Sequence, residues 1–202
     1  MKKLPVLTLA IAGLLSAGAV NAQVFGTLGY TNVNPKSDNG SLAGADASVN
    51  DDASLTGSLG YRFTPSLFVE LGTALASFEH EVSLDGLGTV ASLKHRPTVL
   101  SLNYQFAPAS KVRPFVRVGY GWVSISDETA KGALSGLDIS AGNANGFAFG
   151  GGVDVFVNDA FFIRADVSKL DFDTEVTVET LGNVGTAEVD PLVFGVAVGY
   201  QF

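Results

Sequence analysis

This chain of 202 residues lacks cysteine, has few basic residues and has no long apolar run after its first 22 residues, and each of these features excludes a class of protein or site. There is no cysteine, which excludes a disulfide framework and a thiolate metal site. Basic residues number 12 against 20 acidic ones, the formal net charge is -8, and no basic cluster of the kind that binds nucleic acid appears. After residue 22 no apolar run approaches the roughly eighteen residues that a membrane-spanning helix needs.

The first 22 residues have the pattern of a secretory signal peptide. Lys2 and Lys3 precede an apolar run, and Val20-Asn21-Ala22 supplies the small residues of a cleavage site. A membrane anchor is the alternative, but the run is short for a spanning helix. We therefore expect residues 1–22 to be removed and residues 23–202 to form one domain outside the cytoplasm.

Alternation is the dominant pattern of the mature chain. Hydrophobic residues make up 47% of the chain and glycines number 24, so the apolar surface has to be spread over alternate positions. From Leu192 to Phe202 large apolar residues alternate with small ones, which predicts a strand with one face toward lipid and the other toward a narrow bore. Seven further segments repeat the pattern, and strands are predicted at 23–34, 53–64, 67–78, 97–106, 113–125, 145–157, 160–172 and 191–202.

The connections between these strands alternate in length. Short ones lie at 64–66, 107–112 and 158–159, and long ones lie near 35–52, 79–96, 126–144 and 173–190. Short periplasmic turns and long external loops are typical of outer-membrane barrels. The sequence therefore predicts an all-β fold, an eight-stranded antiparallel transmembrane β-barrel in an outer membrane.

The outward faces suit a membrane. Their aromatic residues form one group near the short turns and another toward the long loops, and the band between the groups has no charge. Arg96, Lys169 and Asp171 lie beyond this band, near the loops. The two basic side chains are long enough to reach lipid phosphates, so outer-membrane lipid and lipopolysaccharide are predicted partners; ordinary interfacial charge is the alternative. The terminal Phe202 resembles the last residue of barrels whose final strand is recognised by the barrel assembly machinery.

The inward faces carry many glycines and a segregated set of charges. Eight strands enclose a bore only wide enough for side chains or one small ligand. Buried charges have to be paired, so a neutral lumen charge plug is predicted in the half nearer the short turns, made of Arg62, Glu70, Arg117, Asp154, Arg164 and Asp166. Above the plug we predict an apolar pocket open to the outside and lined by Phe78, Val99, Val123, Leu170 and Phe172.

No catalytic site, cofactor or metal site is predicted. The long loops are acidic, which is typical of a solvated rim; divalent cations shared with lipid headgroups are the alternative, but no loop has the acid spacing of an EF-hand. His80 and His95 lie near Ser83 and Ser92 in the second long loop. Because triads are recognised by geometry and not by proximity in sequence, we expect loop-end residues and no enzyme.

Several stretches, taken in series along the whole mature chain, resemble the outer membrane protein W (OmpW) family. They are Asn32-Val33-Asn34-Pro35, Val69-Glu70-Leu71, Lys94-His95-Arg96-Pro97-Thr98, Arg113-Pro114-Phe115-Val116, Asp171-Phe172-Asp173-Thr174 and Asp190-Pro191. The resemblance implies an eight-stranded outer-membrane barrel of a Gram-negative bacterium, whose hydrophobic lumen takes small apolar molecules from outside and releases them sideways into the membrane. The sequence departs from the family pattern at Thr27, where an inward arginine is common, and at Ser168, where an aromatic is common.

The leading hypothesis is a narrow passive pore for small hydrophobic solutes, released laterally into the membrane. The first alternative is a structural or surface-interaction barrel whose external loops bind ligands or host molecules. A soluble ligand carrier of the eight-stranded lipocalin kind is the second alternative, and the apolar outer face argues against it.

Overall fold

The structure is a computed structural model, and it describes residues 23–35, 39–42, 44–178, 182–188 and 190–202. The predicted signal peptide, residues 1–22, lies outside the described residues, as do short parts of the first and fourth long connections. Within the described ranges no helix is long and apolar enough to cross a membrane. The strands are β1 Val24–Asn34, β2 Ser41–Leu42, β3 Ala45–Val49, β4 Asp52–Arg62, β5 Leu67–Ala74, β6 Phe78–Leu84, β7 Gly88–Gln105, β8 Val112–Ala130, β9 Ile139–Ala141, β10 Ala144–Phe156, β11 Phe161–Asp171, β12 Asp173–Val178, β13 Gly182–Glu188 and β14 Leu192–Gln201, with a 3-10 turn at Gly132–Leu134.

Eight of these strands close into a ring. The order is β1, β4, β5, β7, β8, β10, β11 and β14, every neighbouring pair is antiparallel, and β14 pairs back onto β1. Closure leaves no open edge in the wall, which is what a sheet within lipid requires. The predicted all-β, eight-stranded antiparallel barrel is confirmed.

Alternate residues along each strand face outward, as the period of two predicts. Leu59 is 52% exposed and Val196 is 59% exposed, exposures that suit a surface covered by lipid. Edge-on ring pairs mark both interfaces: Tyr200 and Phe202 lie 5.1 Å apart near the short turns, and Tyr120 and Trp122 lie 5.3 Å apart toward the external side. The wall therefore has an apolar band between two aromatic belts.

The external connections contain more strand than the sequence predicted. β6 pairs with the start of β7, and β7 and β8 stay paired as far as Ala91 and Ala130, well past the membrane. β3 continues this sheet, while β9, β12 and β13 form a separate one. A small apolar cluster, Leu42, Ala47, Leu84 and Val90, is buried among these external strands. The predicted boundaries stop too early because outward residues become polar above the membrane while backbone pairing continues.

One strand is interrupted where the sequence predicted continuity at 67–78. β5 ends at Ala74 and β6 begins at Phe78. Thr73 is paired with Thr98 and Phe78 with His95, so residues 74–77 lie opposite only Arg96 and Pro97. Within the interruption Leu75 donates its backbone N–H to Leu55 of β4 and not to β7. Pro97 has no N–H to give, so the β5–β7 seam lacks ladder hydrogen bonds at this point.

Candidate functional site

A cavity of about 150 Å³ lies in the upper half of the barrel. All five residues predicted to line a pocket are on its walls, and they come from four different strands or strand ends: Phe78, Val99, Val123, Leu170 and Phe172. Val33 and Val193 complete the apolar wall. Val99 is paired with Gly121, the residue before Trp122, so the cavity lies at the level of the external aromatic belt.

The predicted charges form one connected cluster beneath the cavity, and Arg164 is its centre. Its Nε and Nη2 donate to Asp154 at 2.7 and 3.0 Å, and its Nη1 donates to both carboxylate oxygens of Glu70 at 2.8 Å. All three side chains are buried. A guanidinium that binds two carboxylates through several short contacts satisfies both charges in a place where water cannot.

The remaining three charges extend this cluster. Arg117 lies 3.3 Å from Asp166 and 3.7 Å from Glu70, and its Nε donates to Asn103 at 3.2 Å. Arg62 donates to Gln105 at 2.8 Å and lies 3.9 Å from Asp154. With three bases and three acids in contact, the formal charge of the cluster sums to zero. Glu70, Arg117, Arg164 and Asp166 also border the cavity, so the cluster is its lower boundary.

A layer of phenylalanines, which was not predicted from the sequence, lies on the periplasmic side of the ion cluster. Its five members are buried and pack on one another: Phe25, Phe68, Phe115, Phe156 and Phe162. The guanidinium of Arg62 lies 4.7 Å from the ring centre of Phe68, a cation–π contact that partly offsets the lack of hydrogen-bond partners for its Nε and Nη2 in the described part of the chain. Two inward glycines make room for this layer, since a Cβ at Gly60 would lie 2.1 Å from the Phe25 ring and one at Gly199 would lie 2.0 Å from the Phe162 ring. We call the ion cluster and these rings together the floor.

The cavity wall formed by β1 and β4 carries hydroxyl groups. Thr27 Oγ1 lies 2.6 Å from Ser58 Oγ, and Ser58 donates to Glu70 Oε1 at 2.5 Å. One step further toward the outside, Thr31 and Thr56 hydroxyls lie 2.8 Å apart. The cavity is therefore polar near the floor and apolar toward the external side.

Two stacked histidines lie at the external end of the cavity. The ring centres of His80 and His95 are 4.9 Å apart, and Phe78 stacks on the other side of His95 at 5.2 Å. His80 Nδ1 lies 2.6 Å from the carbonyl oxygen of Asn50. Both imidazoles are buried, and in the described part of the chain neither bonds a serine hydroxyl.

Burial also affects how the two imidazoles titrate. Burial, reinforced by the neighbouring His80, lowers the pKa of His95 from 6.5 to about 3, and burial lowers the pKa of His80 as well. Both rings are therefore neutral near pH 7. Among the described residues no group of three or more His, Asp or Glu side chains is arranged to hold a metal ion.

Comparison with known proteins adds the following. The family model described as the OmpW family matches residues 12–202. Outer membrane protein AlkL of Ectopseudomonas oleovorans is 34% identical over 169 residues, which is 81% of this chain and 72% of that protein. Outer membrane protein W of Escherichia coli (strain K12) is 30% identical over 213 residues, which is 100% of both chains. The crystal structure of the outer membrane protein OprG from Pseudomonas aeruginosa superimposes with a TM-score of 0.76 at 27% identity, over 89% of this chain and 96% of that one.

Proposed function

This chain belongs to the OmpW family, and from that premise we propose that it is a narrow passive pore that admits small hydrophobic molecules from outside and releases them sideways into the membrane. It is an outer-membrane protein of a Gram-negative bacterium, like its relatives. No catalytic step is part of the proposal. Lipid, lipopolysaccharide and, through β14, the barrel assembly machinery are the further partners we propose.

The observation that carries the proposal is an apolar cavity directly above a filled floor. Phe78, Val123 and Leu170 give the upper wall, and a volume of about 150 Å³ suits a single benzene-sized ring. Moving an apolar solute from water onto such walls is favourable by roughly 25 cal/mol per Å² of buried surface. A solute of this size and polarity can therefore accumulate at the level of the membrane.

The floor obstructs a straight path for a solute through the lumen into the periplasm. A solute moving downward would have to pass the contacts of Arg164 with Glu70 and Asp154, all of them 3.0 Å or shorter. Below them it would meet the packed rings, among which Phe25 and Phe68 lie 5.3 Å apart. Separating a buried ion pair costs several kcal/mol, so an apolar solute that offers no compensating charge leaves more easily through the wall.

The interrupted seam between β5 and β7 is the place in the wall where we propose the exit. Ala74, Phe78 and Pro97 border both the seam and the cavity. The hydroxyl of Thr73 donates to the carbonyl oxygen of Pro97 at 3.2 Å, a side-chain bond just below the gap. Opening this seam breaks fewer backbone hydrogen bonds than opening a fully paired one, because the ladder is already absent at 74–77.

Closing the seam covalently tests the proposal. The chain has no cysteine, so engineered pairs are the only thiols. Thr73→Cys with Thr98→Cys lies below the gap and Glu79→Cys with Lys94→Cys lies above it, and both pairs are directly opposed in the ladder. Opposed residues of antiparallel strands have Cα atoms about 4.5–5.5 Å apart, which a disulfide can span.

The assay is the rate at which a fluorescent apolar probe enters the membrane of cells that express the barrel as their only protein of this kind. We expect oxidation of the two pairs to reduce the barrel-dependent rate and reduction to restore it. A disulfide between Ala165→Cys and Val196→Cys, opposed residues on the far side of the ring, is the matched control and should leave the rate unchanged. Undiminished entry through the doubly oxidised barrel would rule out this exit.

A further inference from the structure

The lower part of the cavity is built to bond a polar group, which a bare hydrocarbon does not have. Thr27 and Ser58 line the cavity from β1 and β4, and Asp166 and Ser168 line it from β11, which only β14 separates from β1 in the ring. Asp166 belongs to the floor, and Ser58 and Thr27 are hydrogen-bonded in series to its Glu70. Any inference about them depends on the proposed uptake function, because it concerns the same cavity.

The hydrogen bonds along the β1–β4 wall have a fixed direction. Glu70 accepts two contacts from Arg164 Nη1, so its carboxylate is ionised and can only accept. The hydroxyl of Ser58 is 2.5 Å from Glu70 Oε1 and donates its single proton to that oxygen. Thr27, which is 2.6 Å from Ser58, must then donate to Ser58, so Thr27 has only lone pairs left for the cavity.

The part of the wall formed by β11 offers a second acceptor and an unused hydroxyl. Asp166 accepts from Arg117 through one carboxylate oxygen at 3.3 Å, and as a carboxylate it has acceptor capacity left. Ser168 follows two residues later on the same face of β11, is 7% exposed, and its hydroxyl has no hydrogen-bond partner among the described residues. A buried hydroxyl without a partner costs free energy that a suitable ligand recovers.

We propose that the cavity selects apolar molecules that carry one neutral hydroxyl group, such as simple phenols and alcohols. The hydroxyl group lies toward the floor, donating to Thr27 or Asp166 and accepting from Ser168. The hydrocarbon part lies against Val99 and Leu170. An O–H group fits because it both donates and accepts, as this end of the cavity requires.

Charged solutes fit less well. The floor is neutral as a whole, so it supplies no net attraction that would offset the desolvation of an ion. A carboxylate would also face the acceptor oxygens of Asp166 and Thr27. Thr27 and Ser168 are both on the cavity wall, so the selectivity we propose depends on these two side chains.

The test compares p-cresol with p-xylene, two molecules of nearly equal size that differ by a hydroxyl in place of a methyl group. Binding is followed through the methyl NMR signals of Val99, Val123 and Leu170 in the refolded barrel in lipid nanodiscs. The measured quantity is the ratio of the two dissociation constants. Partition of each ligand into lipid is the same for every variant, so it cancels when ratios are compared between variants.

Thr27→Val removes the acceptor while keeping the shape of the side chain. We expect it, and Ser168→Ala separately, to lower the preference for p-cresol by about threefold to tenfold, the value of one hydrogen bond. Thr98→Val makes the same chemical change outside the cavity and should leave the ratio at its native value. Native-like spectra of each variant establish that the barrel is folded.

The outcomes separate this inference from the uptake function. If both ligands shift the cavity signals but the ratio is unchanged in Thr27→Val and Ser168→Ala, the hydroxyl selectivity is wrong and the pore survives. If neither ligand shifts those signals in the native protein, both the pore and the selectivity are overturned. A preference for p-cresol that falls in both variants and not in Thr98→Val supports the inference.

Discussion

Replacing Arg164 with methionine should be one of the most damaging single changes in the lumen. Met keeps much of the side-chain volume but removes the one group among the described residues that bonds both Glu70 and Asp154 at 3.0 Å or less. Two buried carboxylates would then lose their principal partner. Removing one side of a buried ion pair typically costs about 3–5 kcal/mol, and we expect Arg164→Met to lower the free energy of unfolding by that amount.

Arg117→Met is the matched control. Its contacts are longer, 3.3 Å to Asp166 and 3.7 Å to Glu70, and its side chain is 16% exposed. The carboxylates that Arg117→Met leaves without this partner can therefore be solvated in part, and we expect the free energy of unfolding to fall by about 1–2 kcal/mol. A triple variant, Arg164→Met with Glu70→Gln and Asp154→Asn, removes the unpaired charges and should recover a large part of the stability lost in Arg164→Met.

The assay is reversible urea unfolding of the refolded barrel in phospholipid vesicles. Trp122 is the only tryptophan and lies on the lipid-facing side, 48% exposed, so its emission reports insertion directly. A loss below about 1 kcal/mol for Arg164→Met, or a loss equal to that of Arg117→Met, would refute the central place we give to Arg164.

Two more predictions concern the glycines and the histidines. Gly199→Ala should lower the free energy of unfolding by about 1–3 kcal/mol in the same urea assay, because the added Cβ would lie 2.0 Å from the Phe162 ring. Gly72→Ala is the control and should cost much less, because its Cβ would have no neighbour nearer than 3.8 Å. Equal losses of stability in the two variants would contradict this packing. Folding lowers the pKa of His95 from 6.5 to about 3. The stability that neutral His95 contributes is therefore fully present above pH 6.5 and is lost as the pH falls below that value, by about 2 kcal/mol at pH 5. The protection factors of the backbone amides in β6 and at the start of β7, which are corrected for the pH dependence of intrinsic exchange, should therefore fall between pH 7 and pH 5, and His95→Phe should reduce that fall. An equal fall in His95→Phe would show that His95 is not responsible.

The eight barrel strands were predictable because lipid imposes a period of two on their outer faces. The same period placed Arg164 and Glu70 inside the barrel, where they meet although their positions in the chain differ by 94. Inward and outward parity holds along the barrel strands because the single-strand register shifts among the described residues, such as the one between Ser92 and Lys94, lie in external segments.

The phenylalanine layer was missed although the sequence contains a signal for it. Phe68, Phe115 and Phe162 each precede a plug residue by two positions, which puts them on the same inward face and one step nearer the periplasm. Aromatic residues are also expected in the membrane belts, and only their inward parity distinguishes these three from belt residues. Gly60 and Gly199 give a second signal, since a glycine opposite an inward phenylalanine leaves room for its ring.

The external strands and the interrupted seam were not predictable from alternation. Above the membrane both faces of β6 and β7 meet protein or water, so hydrophobicity no longer distinguishes strand from loop. Pro97 was the available signal for the seam, because a proline withdraws one N–H from a ladder. Which strand would lose its partner, and that Leu75 would bond β4 instead, depends on register that the sequence alone does not give.

The most direct test of the account is the single-channel conductance of the native barrel, refolded and inserted in a planar bilayer. Because the ion cluster and the phenylalanine layer fill the lower lumen, we predict no steady ionic conductance while the same preparation still takes up an apolar probe. A steady conductance in the native protein would mean that a continuous water path crosses the floor. The protein would then be a channel through its own lumen, and exit through the wall would have no support.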